Sequence, residues 1–221
     1  MGNRVELVAA DGHTLSAWHA SPVGVPRAGM VIVQEAFGLS AYIRSVVDHY
    51  AEQGYVALAP ALYDRQMRGV ALDGHSPEVL AQGRALRAGL VWSLVLADIS
   101  AAIDGVRCGG GVGIVGFCVG GSVAWMAAQS LPVDAAVAYY GRDIVEHLEP
   151  APACPVMLHF GEQDPLIPLA DVDRVRAAWP RLPVHVYATG HGFDALRVPA
   201  DAGPAALARE RTWSFLNGIL G

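Results

Sequence analysis

The sequence predicts one α/β domain in which helices cover both faces of a mostly parallel sheet. Short apolar segments alternate along the chain with helical segments, as in repeated strand-helix-strand units. Residues 29–33, 55–59 and 112–116 are apolar without alternation, which is typical of strands buried on both faces. A glycine-rich segment follows residue 115, where a strand would turn sharply into a helix. In such domains the ligand site lies at the carboxyl ends of the strands.

The elements can be assigned in order along the chain. Two antiparallel strands, at residues 5–8 and 14–18, flank the turn signal Asp11-Gly12. A helix capped by Ser40 runs to Ala51 between the buried strands at 29–33 and 55–59. Residues 64–74 are polar and loop-like, and one long helical pattern covers 77–103. The later strands are expected at 112–116, 135–140, 155–160 and 184–187, and the later helices at 120–129, 170–178 and 204–220.

The composition fits one globular domain over residues 1–221. A chain of 221 residues with 53% hydrophobic and 16% charged residues can bury a large core. The net charge of −6, without a cluster of basic residues, argues against a nucleic-acid partner. The most apolar run, residues 88–97, is too short to cross a bilayer and predicts a buried helix, so we expect no membrane partner.

The cysteines and the amino terminus favour a cytoplasmic location. The three cysteines form no C-x-x-C pair, so a disulfide framework is not expected. The first residues lack the apolar core of a secretory signal. The sequence does not fix the oligomeric state, and a monomer is compatible with it.

The segment Gly116-Phe117-Cys118-Val119-Gly120-Gly121 has the G-x-S-x-G pattern of a nucleophile elbow, with cysteine in place of serine. Glycines two residues before and after the apex let strand and helix pass closely around a strained turn. Cys118 is therefore the candidate nucleophile, because a thiolate at a helix amino terminus attacks a carbonyl carbon readily. A small buried hydrophobic residue at a tight turn is the alternative interpretation.

Glu35, Cys118, Asp164 and His191 each follow a predicted strand end. The last three occur in the order nucleophile, acid, histidine, which is the order of the α/β-hydrolases. His191 would act as general base and then general acid, and Asp164 would orient its ring. Glu162 and Asp194 are alternatives for the acid.

The oxyanion formed during attack needs two preorganised donors. In an elbow of this kind one donor is the amide after the nucleophile, and the other comes from the loop after the third strand. We therefore expect the amides of Val119 and Ala36 to form the oxyanion hole. Glu35, directly after an apolar strand, is costly to bury without a function or a partner, for which Arg44 is a candidate.

Several segments resemble successive signatures of the dienelactone hydrolase family, and the resemblance covers nearly the whole chain. It implies a triad of Cys118, His191 and Asp164, and a role for Glu35 in holding the resting thiol away from the histidine until substrate binds. Within these segments we expect Phe37 and Tyr140 to contact substrate. The segments are residues 34–38, 60–66, 116–121, 138–141, 161–164 and 190–193.

The sequence departs from this family where the substrate is held. The family binds the substrate carboxylate with two arginines, and the corresponding positions here are Leu80 and Ala195. Arg84, Arg87 and Arg197 are close enough in sequence to replace them, and of these we expect Arg84 to bind substrate. Solvated charges are the alternative interpretation, because long cations usually stay exposed.

We therefore expect a cysteine-dependent hydrolase of esters or lactones that forms a thioester acyl-enzyme and needs no cofactor or metal. A metal site is disfavoured because His185 and His191 lack ligand spacing. The sequence also lacks a P-loop and a dinucleotide fingerprint. Two alternatives remain: a general carboxylesterase acting on neutral acyl esters, and a non-catalytic small-molecule receptor.

Overall fold

The computed structural model describes residues 1–74, 76–194 and 203–221, and it confirms the predicted fold class. The strands are β1 (Asn3–Val8), β2 (Thr14–Ala20), β3 (Ala28–Val33), β4 (Tyr55–Pro60), β5 (Val112–Phe117), β6 (Ala135–Tyr139), β7 (Val156–Gly161) and β8 (Val184–Tyr187). The helices are α1 (Ala41–Glu52), α2 (Pro77–Ala88), α3 (Trp92–Gly105), α4 (Val119–Ser130), α5 (Leu169–Ala178) and α6 (Gly203–Leu220).

The strands form one sheet in the order β1-β2-β4-β3-β5-β6-β7-β8. Strand β2 pairs antiparallel with both β1 and β4, and the other pairings are parallel. The parallel strands β3, β5, β7 and β8 therefore end at one edge of the sheet. The loops that carry the four predicted strand-end residues follow these strands.

The core lies on both faces of the sheet, as the unbroken apolar strands predict. Every residue of β3, β5, β6 and β7 is buried. Helices α1 and α6 pack together through Tyr50 and Trp213, whose ring centroids are 4.6 Å apart. Helices α3 and α4 contact each other and pack on the sheet as a second pair. This double cover fixes the strand ends, and hence the loops that follow them.

The expectation of one long helix over residues 77–103 is wrong. Helices α2 and α3 are separate and meet at an angle of 94°. Gly89 ends α2, where its amide donates to the carbonyls of Ala85 and Leu86 at 3.2 Å each. A Cβ atom at Gly89 would meet the end of the Gln66 side chain, which would have to move. The break also divides the apolar run 88–97, which was expected to form one buried helix.

No single helix in the described ranges has the length and hydropathy needed to cross a membrane. The bent pair α2 and α3 meets that test of length and composition only when the two helices are counted together.

Candidate active site

Cys118 lies at the turn between β5 and α4 in a strained backbone conformation. Its φ is 55°, an uncommon value for a residue with a side chain, and such strain costs about 1–3 kcal/mol. The turn is held by the Cys118 amide, which donates to the Tyr139 carbonyl at 3.0 Å. The Cys118 carbonyl accepts from the Gly121 amide at 2.9 Å. The strand-turn-helix geometry expected for an elbow is present.

The glycines of the elbow are needed because backbones approach closely there. A Cβ atom on Gly116 would overlap the carbonyl of Gly120, one turn further along. A Cβ atom on Gly120 would overlap the carbonyls of Val33 and Gln34 at the end of β3. The glycine pattern thus brings the nucleophile turn against the loop that carries Glu35 and Ala36.

His191 and Asp164 form a hydrogen-bonded pair beside the elbow. Nδ1 of His191 lies 2.7 Å from Oδ2 of Asp164, whose other oxygen accepts from the Leu166 amide at 2.8 Å. The Asp164 side chain is completely buried. Two fixed acceptor contacts hold the carboxylate, so it can fix the orientation of the imidazole ring.

The pKa of His191 is strongly perturbed. Burial by itself would lower this pKa, but the hydrogen bond to Asp164 and the neighbouring Cys118 outweigh burial and raise the pKa to about 10. In the described part of the chain the buried Nε2 atom has no partner that meets hydrogen-bond geometry, the Cys118 thiol included. Nε2 therefore remains available to exchange a proton.

The two alternative acids are placed differently from Asp164. Glu162 is exposed. Asp194 pairs with Arg209 at 2.9 Å and accepts from the Tyr42 hydroxyl at 3.2 Å. Burial raises the pKa of Asp194 to about 6, against the opposing effect of Arg209. Asp164 is the acid in contact with the His191 ring.

A cavity of about 410 Å³ opens at these strand ends. It brings together Cys118 and His191 with most of the residues proposed from the sequence. Its wall is formed by Glu35, Ala36, Phe37, Leu80, Arg84, Arg87, Cys118, Val119, Arg142, Leu166, His191 and Gly192. Asp164 lies behind His191, as an orienting acid should.

The two residues expected to supply the amide donors line this cavity from different elements. Val119 is the first residue of α4, so its amide has no acceptor within the helix and lies at the positive end of the helix dipole. Ala36 belongs to the loop between β3 and α1. Neither amide has a hydrogen-bond partner within the described ranges.

Glu35 is buried, with 3% of its surface exposed, and lines the same cavity. Its charge is close enough to contribute to the raised pKa values of Tyr140 and Asp194, for which burial is the largest cause. The guanidinium of Arg44, the candidate partner from the sequence, instead lies 5.4 Å from the centre of the Trp18 ring.

Tyr140, which the sequence predicts to contact substrate, is not among the residues of the cavity wall. Its side chain is fully buried, and its ring centroid lies 4.9 Å from that of His191 and 5.3 Å from that of Phe193. Tyr140 therefore supports the back of the histidine ring.

Three arginines lie on the wall of the cavity. Arg84 and Arg87 come from α2, on the same helical face as Leu80. Arg142, which directly follows Gly141 beyond β6, was missed from the sequence because only the fold brings it to the cavity. Arg87 is paired with Asp143, whereas Arg84 and Arg142 form no ion pair within the described residues. Ala195 and Arg197 lie outside the described residues.

The remaining cysteines lie outside the cavity wall. Burial, with the nearby Asp134 charge, raises the pKa of Cys154 to about 11, which disfavours its thiolate. In the described ranges no group of three or more His, Cys, Asp or Glu residues is arranged to hold a metal ion.

Comparisons with known proteins identify the family of the chain. Residues 15–220 match the profile of the dienelactone hydrolase family. A carboxymethylenebutenolidase of Pseudomonas putida is 36% identical over 225 residues, covering 96% of this chain and 94% of the relative. Carboxymethylenebutenolidase 1 of Cupriavidus pinatubonensis is 30% identical, covering 98% of this chain and 97% of the relative.

Solved structures show the same fold. A candidate dienelactone hydrolase from Klebsiella pneumoniae superposes with a TM-score of 0.80 at 26% identity, covering 98% of this chain and 99% of that chain. A Pyrococcus furiosus esterase superposes with a TM-score of 0.72 at 16% identity, covering 100% of this chain and 93% of that chain. The family model and the two sequence relatives cover nearly the full length. The chain belongs to the dienelactone hydrolase family and is a hydrolase of the kind that cleaves lactone and ester bonds.

Proposed function

We propose that this enzyme hydrolyses small esters or lactones through a thioester formed on Cys118. The observation that carries the proposal is the Asp164–His191 pair, 2.7 Å apart, beside a cavity that also contains the elbow cysteine. A nucleophile, a base and a group orienting that base are the minimum set for acyl transfer through a covalent intermediate.

In the first step the Cys118 thiolate adds to the substrate carbonyl carbon. A carbon–sulfur bond forms, and the carbonyl electron pair moves to the oxygen, to which the Val119 and Ala36 amides donate hydrogen bonds. When substrate binds, the Cys118 thiol gives its proton to Nε2 of His191, and the raised pKa of His191 supports the imidazolium that results. Collapse of the intermediate breaks the carbon–oxygen bond, and His191 protonates the departing alkoxide. In a lactone this alkoxide remains attached to the acyl group.

In the second step water hydrolyses the thioester. Neutral His191 takes a proton from the water as its oxygen attacks the acyl carbon. The carbon–sulfur bond then breaks, which releases the product acid and restores the thiolate. Glu35 is proposed to hold the resting thiol away from His191 until substrate binds, a role that its buried position beside the cavity permits.

The arginines on the wall support an anionic substrate. Arg84 and Arg142 reach the cavity from two elements and have no acidic partner within the described residues, so each can bind a carboxylate. The aromatic ring of Phe37 offers an apolar contact on the same wall. The alternative, a general esterase acting on neutral acyl esters, would leave these cations without a role.

The nucleophile is tested by comparing wild type with Cys118→Ala on 4-nitrophenyl acetate and on a dienelactone. We expect kcat to fall by at least about 10³-fold, because the covalent route is lost. Cys108→Ala is the matched control and should keep wild-type rates. Equal rates for Cys118→Ala and wild type would exclude Cys118 as nucleophile.

A receptor without turnover is distinguished by trapping the intermediate. Mass spectrometry after rapid quenching with the acetate ester should detect an acetyl group on the peptide that contains Cys118 in wild type only. Slow alkylation of Cys118 by iodoacetamide together with absence of the acyl adduct would favour the receptor.

A further inference from the structure

Helix α2 lies over the active-site cavity but buries few of its residues. Only Gly83 and Leu86 of this helix are buried, whereas α4 buries ten residues from Val119 to Ala128. Yet α2 supplies Leu80, Arg84 and Arg87 to the cavity wall. Its placement must therefore depend on a small number of specific contacts.

One of these contacts is made to the loop between β3 and α1, which carries Ala36. A Cβ atom on Gly83 would lie 2.8 Å from the carbonyl oxygen of Ala36, so glycine allows the helix to approach this loop closely. The Leu86 carbonyl also accepts from Nε2 of Gln66 at 2.9 Å. A shift of α2 would therefore disturb both the arginines of the wall and the residue that carries a proposed oxyanion donor.

The ionic contact lies at the carboxyl end of the helix. Arg87 donates to Oδ1 of Asp143, a residue with 7% of its surface exposed. The Asp143 amide donates to the hydroxyl of buried Ser122 at 2.9 Å. The Ser122 amide in turn donates to the Cys118 carbonyl at 3.3 Å. These bonds connect the end of α2 with the nucleophile elbow.

We propose that the Arg87–Asp143 ion pair fixes α2 over the cavity and that Arg87 is a positioning residue for the Arg84 side chain and the Ala36 loop. A buried carboxylate needs a charged partner, and Arg87 provides it from the helix being held. Without either partner, only apolar and neutral contacts hold α2. The α2 segment then undergoes local opening more often. The proposal rests on the proposed function only in placing the reaction in this cavity.

The alternative is that Arg87 acts by touching the substrate anion directly, and Asp143→Asn separates the two roles. This change frees Arg87 while keeping its charge at the cavity. Direct contact predicts tighter binding of an anionic substrate, whereas positioning predicts weaker binding. Two esters with five-carbon acyl groups serve as probes: 4-nitrophenyl hydrogen glutarate, which carries a carboxylate, and neutral 4-nitrophenyl valerate.

The experiment measures hydrogen exchange and kinetics on Arg87→Met, Asp143→Asn and the double variant. We expect exchange of the α2 amides to increase about tenfold in all three, with α4 unchanged, and KM for the glutarate ester to rise about fivefold. The double variant should show the same exchange and the same KM as each single variant, because all three lose the same ion pair. Arg87→Lys should restore part of both effects. Arg174→Met, which removes an exposed ion pair on α5, is the control and should change neither.

Two results would overturn the proposal: wild-type exchange of α2 in the three variants, or a KM for the glutarate ester that falls in Asp143→Asn. Hydrogen exchange needs no turnover. It therefore tests the placement of α2 even if Cys118 is not the nucleophile.

Discussion

The two sides of the active-site cavity are built differently. On the strand-end side, Cys118, His191 and Asp164 follow strands of a sheet buried on both faces, and backbone hydrogen bonds fix their loops. On the helix side, the wall comes from α2, which buries two residues, and from exposed Arg142. Rigid placement suits the catalytic groups, which must be held in a fixed geometry. Side chains on a helix outside the core can be substituted without disturbing the sheet. Changes on the strand-end side should therefore affect turnover, and changes on the helix side should affect substrate choice.

The largest effect is expected for Asp164→Asn. An amide in this position favours the wrong tautomer of His191, so kcat for 4-nitrophenyl acetate should fall by about 10³–10⁴-fold with little change in fold. Glu162→Gln, which alters the exposed carboxylate two residues earlier, is the matched control and should keep wild-type rates. If both variants retained activity, the orienting acid would have to be another residue.

Gly120→Ala tests the rigidity of the strand-end side. The added methyl group would overlap backbone carbonyls of Val33 and Gln34, which cannot move as a side chain could. We expect a loss of about 3 kcal/mol in the free energy of unfolding, which lowers Tm by about 6–12 °C. Gly218→Ala is the control: a methyl group added at Gly218, in α6, would meet no atom within 4 Å, and the change should stabilise by at most about 1 kcal/mol. An unchanged Tm in Gly120→Ala would show that the elbow can relax.

The pH dependence of stability tests the His191–Asp164 pair without turnover. The pKa of His191 is raised from 6.5 to about 10, so the stabilisation is full below pH 6.5 and is lost as the pH rises through 10. Cysteine thiols and the amino terminus also titrate in this window, and comparison with Asp164→Asn removes their contribution because both proteins contain them. The free energy of unfolding from urea titrations should fall between pH 7 and pH 9 by up to about 2 kcal/mol more in wild type than in Asp164→Asn. Parallel curves for the two proteins would contradict the raised pKa.

The strand-end side could be predicted from the sequence because each signal is local. Glycine spacing marks the elbow, and Asp164 and His191 each follow an apolar strand within a few residues. The predicted parallel sheet brings these ends together, because the carboxyl ends of parallel strands lie at one edge.

The helix side could not be predicted in the same way. Gln66, which is distant in sequence, donates to the Leu86 carbonyl near the end of α2, and a lone glycine in a helical pattern, such as Gly89, is a weak signal. Arg142 reaches the cavity only through the placement of the turn after β6. Tyr140 lies buried beside the His191 ring and outside the cavity wall, because a family segment identifies a residue near the site and leaves its orientation open. Contacts between distant elements decide these features, and local pattern does not contain them.

The smallest effect, and the most direct test of substrate choice, is expected for Arg142→Met. The change keeps an apolar stem and removes one cation from the wall, so KM for 4-nitrophenyl hydrogen glutarate should rise about tenfold, equivalent to about 1.4 kcal/mol. KM for 4-nitrophenyl valerate should change by less than about twofold, because this ester has no charge for the arginine to bind. Arg84→Met should have the same effect on KM. Added salt should reduce the difference in KM between the two esters in wild type. Arg107→Met removes an exposed ion pair at the end of α3 and serves as the control. Equal changes of KM for both esters would mean that the arginines shape the cavity instead of selecting charge, and the enzyme would then be a general esterase.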